Sequence, residues 1–136
     1  ALWGMQNLTQ WVAGERADKR LAHWRGIVVA ACEQSGRATL PDVTAPQALA
    51  QAAGLREGRG FILDPFAQAS LSSVRDASLR ECTIAIGPEG GWSPRDREQL
   101  VAAGYEGLRL GPRVLRTETA GIAAIAALQA ACGDLG

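Results

Sequence analysis

With 136 residues, 47% of them hydrophobic, the chain has material for one buried core and too little for two ordinary domains. Fourteen basic residues balance fourteen acidic ones, which excludes a global field that draws in nucleic acid or anionic lipid; any phosphate contact must come from a local cluster. Lys19 stands alone beside thirteen arginines, a bias that base composition of the gene explains as well as any demand for guanidinium groups.

From Glu15 to Gln34, ERADKRLAHWRGIVVAACEQ mixes charge and apolarity at helical spacing, with Leu21, Trp24, Val28, Ala31 and Cys32 near one face, and Ser35-Gly36 stops the helix. LPDVTAPQALAQAAGL reads as a loop carrying Pro41 and Pro46, then a short alanine-rich helix ending at Gly54. FILD at 61–64, closed by Pro65, is a short buried strand, and FAQASLSSVRDASL is a loop with one or two helical turns. CTIAI at 82–86 is a continuous apolar run, as parallel strands covered on both faces tend to be. A helix over 94–103 follows, then a turn at Gly104, a strand YEGLRL weakened by Gly107, and a small-residue helix TAGIAAIAALQAAC.

Strands alternating with helices predict an α/β fold on a mainly parallel sheet with helices on both faces. Ligands of such sheets bind in the loops beyond the carboxyl ends of the strands. GPEGGWSP at 87–94 and LGPRVLRTET at 110–119 are two such loops. In the first, Ser93 suits an N-cap, Pro94 a first helical position and Asp96 a capping-box acid. Gly87, Gly90 and Gly91 can take positive φ and admit a ligand against bare backbone. The pattern matches neither G-x-G-x-x-G nor the Walker loop, it has no lysine, and Glu89 repels phosphate. A tight strand-to-helix turn accounts for these glycines equally well. The second loop places Arg113 and Arg116 close to Arg109 with no acid before Glu118. A solvated basic loop is the ordinary explanation, but Val114 and Leu115 suggest partial burial, where a guanidinium needs a partner or an anionic ligand.

Cys32, Cys82 and Cys132 are odd in number, far apart and set among apolar residues, which argues against a disulfide framework or a zinc site. No apolar stretch reaches spanning length unbroken and no signal-peptide order opens the chain, so a cytoplasmic protein without a membrane partner and without a metal is expected.

GPEGGWSPRDREQL followed by LRLGPRVLRTETAGIAAIAAL resembles the C-terminal half of the RsmE family, SPOUT-class methyltransferases that modify N3 of a uridine in 16S ribosomal RNA of the small ribosomal subunit. ERADKRLAHWRGIVVAACEQSGR is similar to the family's long helix. The resemblance covers Glu15 to the end; residues 1–14 match poorly, and the family's N-terminal PUA-like RNA-binding domain and first strand and helix are expected to be missing from the sequence. It implies a C-terminal trefoil knot, an exception to the rule against threaded chains. It also implies an S-adenosylmethionine pocket in that knot, and a homodimer with the helix from Thr119 to Ala131 in its interface. By motif, Gly87, Pro88, Glu89, Gly90 and Gly91 form one wall of the pocket, and Leu110, Gly111, Val114, Leu115 and Arg116 the other.

Methyl transfer to uracil N3 requires removal of a proton or stabilisation of charge on O2 and O4, which an arginine performs. Arg116 and Arg113 are the candidates, with Glu118 as base or as orienter of an arginine. His23, mid-helix, is assigned to surface or packing. Glu33, Gln34, Ser35 and Arg37 either touch substrate or form a polar helix end capped by Gly36. The rival from another class is a non-catalytic RNA-binding or scaffold protein with the same fold.

Overall fold

The computed structural model describes residues 7–8, 17–45, 47–76, 78–88, 90–133 and 135. Its elements are β1 (Asn7–Leu8), α1 (Ala17–Ser35), β2 (Asp42–Val43), α2 (Leu49–Gly54), β3 (Arg59–Leu63), a 3-10 turn (Leu71–Ser73), β4 (Cys82–Ala85), α3 (Pro94–Ala102), β5 (Tyr105–Leu108) and α4 (Thr117–Cys132). They separate into two compact units, one within residues 4–52 and one within 53–136, where length alone suggested a single one.

In the N-terminal unit, α1 buries Leu21 and Cys32 and half-buries Trp24 and Val28, a stripe at spacings of three, four and four. Ala31, expected on that stripe, is exposed: as the immediate neighbour of Cys32 it points about 100° away around the helix. The helix closes where the sequence said it would. The Gly36 amide donates to Glu33 O and the Arg37 amide to Cys32 O (2.9 Å), the paired bonds of a Schellman end. β1 pairs with β2 in parallel, Leu8 opposite Val43. The Arg25 guanidinium donates through Nε (3.2 Å) and Nη2 (3.0 Å) to the Val43 carbonyl, fastening α1 to β2. A strand therefore precedes the long helix, where none was expected; two residues joined by a distant partner leave no pattern in the sequence.

The C-terminal unit is built on a parallel three-stranded sheet in the order β4-β3-β5. Phe61 stands opposite Ile84 and Glu106, and Leu63 opposite Leu108. Successive side chains of the central strand point to opposite faces, and both Phe61 and Ile62 are fully buried. Such a strand reads as an unbroken apolar run, which is why FILD was legible. On one face, Phe61, Leu63 and Leu108 form a core with Leu71, Val74, Leu79 and the α4 residues Ala124 and Leu128, joined by Cys82, Ile84, Ala120 and Ala127. α3 packs along β5 and buries Leu100.

The three cysteines are free, Cys32 buried and the others half-buried. Burial pushes the Cys82 thiol up to about 11, helped by the neighbouring Cys132, so it stays protonated and unreactive at neutral pH. Among the described residues, no helix is long and apolar enough to cross a membrane, and no three His, Cys, Asp or Glu side chains stand together to hold a metal ion.

Candidate functional site

Because the three strands are parallel, the segments after β3, β4 and β5 leave the sheet at one edge. After β4 comes the glycine loop. The Gly91 amide donates to Pro88 O (2.8 Å) and Gly91 has φ +80, so the turn needs a residue without a Cβ there. Of the three glycines expected to be candidates for positive φ, only Gly91 adopts it. Gly87 is tight for another reason: a Cβ on it would lie 3.1–3.2 Å from three atoms of the Trp92 indole, so the ring would have to give by a few tenths of an ångström. Trp92 thus backs the loop, and its Nε1 is buried without a hydrogen-bond partner among the described residues. Ser93 Oγ accepts from the Asp96 amide (3.1 Å) and Pro94 takes the first helical position, starting α3 as the sequence indicated. Glu89 lies outside the described residues.

After β5 comes the basic loop. α4 begins at Thr117, two residues earlier than expected, which makes Arg116 its N-cap and puts Glu118 in the first turn, where a carboxylate complements the helix dipole. Arg113, Arg116 and Glu118 are all exposed, Leu110 and Leu115 are half-buried, and Gly111 has φ +74 with open space beside it. Val114 departs from expectation: it is 72% exposed. Its position between two arginines suggested burial, but the loop turns it to the solvent side instead.

The two loops meet. Thr117 Oγ1 donates to the Gly87 carbonyl at 3.0 Å, joining the start of α4 to the end of β4. A Cβ on Gly90, Gly91 or Gly111 of these loops would meet nothing within 4 Å.

Arg109, grouped in the sequence with Arg113 and Arg116, does a different job. Its Nη1 donates to Ala67 O (3.1 Å) and Gln68 O (3.4 Å), its amide to Ala69 O (2.7 Å), and its carbonyl accepts from the Leu71 amide (2.9 Å). It is spent holding the third segment, residues 64–70, beside β5. Sequence reading passed over that segment because it has neither glycines nor a charge cluster. Its one signal was Asp64-Pro65 directly after an apolar strand. Asp64 is buried at 6% exposure, its Oδ2 paired with Arg97 of α3 and its Oδ1 accepting from the Phe66 amide (2.9 Å). A buried carboxylate needs such partners.

The remaining candidates belong to the N-terminal unit. His23 is exposed on α1. Glu33, Gln34, Ser35 and Arg37 are exposed at the end of the same helix, where Ser35 Oγ donates to Cys32 O and Arg37 Nε to Thr39 O (2.9 Å). This fits a polar helix end.

Residues 2–129 match the family model of the RNA methyltransferase domain, a span that takes in nearly all of the segment 1–14 set apart above. The ribosomal RNA small subunit methyltransferase E of Buchnera aphidicola subsp. Schizaphis graminum is 34% identical over 119 residues, 86% of this chain and 48% of that protein. Its namesake in Mycobacterium bovis is 35% identical over 121 residues, 85% of this chain and 46% of that one. The crystal structure of a ribosomal RNA small subunit methyltransferase E from Neisseria gonorrhoeae bound to S-adenosyl methionine superposes with a TM-score of 0.80 at 37% identity, covering 92% of this chain and 54% of the other. The chain spans about half the length of these relatives.

Proposed function

Because the chain belongs to the RNA methyltransferase domain family, within its RsmE group, we propose that it is the cofactor-binding, methyl-transferring part of a ribosomal RNA methyltransferase that uses S-adenosylmethionine. The observation that carries this reading is the Thr117–Gly87 bond, which brings the two loops that resemble the family's pocket into one site at the carboxyl edge of the sheet. The residues fit the cofactor. Gly90, Gly91 and Gly111 leave room for a ligand against bare backbone, and the half-buried Leu110 and Leu115 supply an apolar wall.

Gly87, Pro88, Gly90 and Gly91 would hold the cofactor from one side and Leu110, Gly111, Val114, Leu115 and Arg116 from the other, with Glu89 assigned to the first wall by motif. When bound, S-adenosylmethionine supplies the methyl carbon and, in its sulfonium, the leaving group for direct attack by uracil N3 of the small-subunit ribosomal RNA. Arg116 and Arg113 are exposed on the second loop, and in this reading they meet the negative charge that builds on uracil O2 and O4. Glu118, two residues from Arg116, orients that guanidinium or accepts the N3 proton. Holding base and methyl donor in line supplies much of the rate. The trefoil knot, the homodimer with α4 in its interface and a cytoplasmic location belong to the same proposal.

Calorimetry with S-adenosylmethionine tests the first half, and methyl transfer to undermethylated small-subunit particles the second. Arg116→Ala should lower transfer about 100-fold or more while circular dichroism stays that of the parent. Full activity in that variant removes Arg116 from the mechanism; cofactor binding without any transfer by the parent chain makes it a scaffold.

A further inference from the structure

We propose that Phe66 is a stacking contact for a base of the RNA substrate, an inference that rests on the methyltransferase reading above. At 89% exposure it is the most exposed large apolar side chain among the described residues. An aromatic ring left in water forgoes the burial that usually anchors such a residue. The backbone that carries it is nonetheless fixed on both sides. Before the ring, the Asp64 amide donates to Leu108 O (2.9 Å), the Asp64 carboxylate pairs with Arg97, and its Oδ1 accepts the Phe66 amide. After the ring, Ala67 is buried, its amide donates to Asp64 O (3.1 Å), and Arg109 holds the Ala67 and Gln68 carbonyls. The segment thus presents the ring from a fixed stretch of backbone without giving it a partner.

That position is the carboxyl edge of β3, the central strand, between the strands whose loops form the candidate pocket. Exposed Arg113 and Arg116 leave the same edge. An exposed aromatic face on a fixed backbone, at the same sheet edge as exposed guanidinium groups, suits unpaired RNA: the positive charge draws the polyanionic strand to this edge and the ring meets a base. What favours RNA over a protein partner at this edge is the match of the chain to the RNA methyltransferase family model.

Phe61 and Phe66 are the only phenylalanines of the sequence, so fluorophenylalanine labelling gives one buried and one exposed fluorine resonance. Adding a uridine-rich single-stranded RNA decamer should move the Phe66 resonance and leave Phe61 in place, whereas S-adenosylmethionine alone should leave Phe66 unmoved. Phe66→Leu should weaken RNA binding about 5- to 100-fold, and Phe66→Tyr should keep it within about threefold, because any aromatic face stacks. Cofactor affinity and sedimentation should not change. Equal RNA affinity in Phe66→Leu overturns the proposal, as does a loss of cofactor affinity or a change of oligomeric state in that variant. A parent chain that binds RNA through Phe66 but no cofactor would sink the methyltransferase reading alone.

Discussion

Thr117→Val removes one hydroxyl and leaves the shape of the side chain nearly unchanged. The deleted bond, 3.0 Å from Thr117 Oγ1 to Gly87 O, crosses thirty positions of sequence and is part-buried. A bond of this kind contributes about 1 kcal/mol net, and a carbonyl left dry costs up to about 3 kcal/mol. Gly87 is half-buried, so water repairs part of the loss, and about 1–2 kcal/mol remains. If the bond sets the width of the pocket, the cofactor must restore that arrangement on binding, and its affinity falls by the same amount, about 5- to 30-fold. Calorimetry with S-adenosylmethionine, run beside thermal melts, separates the two consequences. Thr117→Ser keeps the donor and should bind like the parent. A valine variant that melts earlier but binds the cofactor as tightly as the parent would show the bond to be structural only; equal losses in the serine and valine variants would assign the effect to packing.

Gly87→Ala should cost about 1–3 kcal/mol and weaken cofactor binding. The backbone there tolerates alanine, so the whole effect runs through the Trp92 ring 3.1–3.2 Å from the new methyl. Adding Trp92→Phe should relieve it, and a double variant as weak as the single one would refute that route. Arg109→Met deserts the Ala67 and Gln68 carbonyls and should lower stability by about 1–3 kcal/mol, read as a denaturation midpoint. Arg109→Lys should recover little of it, because one ammonium does not reproduce the guanidinium fork. Cys82 gives a pH dependence. Its folded thiol is raised from 9.0 to about 11 by burial, so above 9.0 the unfolded thiol ionises while the folded one does not. Its contribution is complete below 9.0 and is withdrawn as pH rises toward 11. Cys82→Ser should flatten that alkaline slope in the denaturant midpoint, and an unchanged slope would place the titrating group elsewhere.

Much of the fold was legible because the signals are local. Ser93-Pro94 starts α3 by hydrogen bonding within three residues, Gly36 ends α1 by its own turn, and β3 and β4 are apolar runs of strand length. The two candidate loops stand out in the sequence for a related reason: their residues are contiguous, and GPEGGWSP and LGPRVLRTET are long enough to be specific. β1 and β2 were not, since two-residue strands are defined only by each other across more than thirty positions. Arg109, Arg113 and Arg116 look alike in sequence, yet the first is held by backbone carbonyls and the others face water.

The sequence by itself determined α1, the order of elements from α2 onward, the caps, the class of the sheet and the family, because propensity, periodicity and contiguous motifs act over a few residues. Tertiary structure alone decided that Thr117 reaches Gly87, that Arg109 holds a third segment and not a ligand, and that Phe66 stands exposed on a fixed backbone. Each of these depends on which strand ends the parallel sheet brings to one edge, and no local rule encodes that neighbourhood.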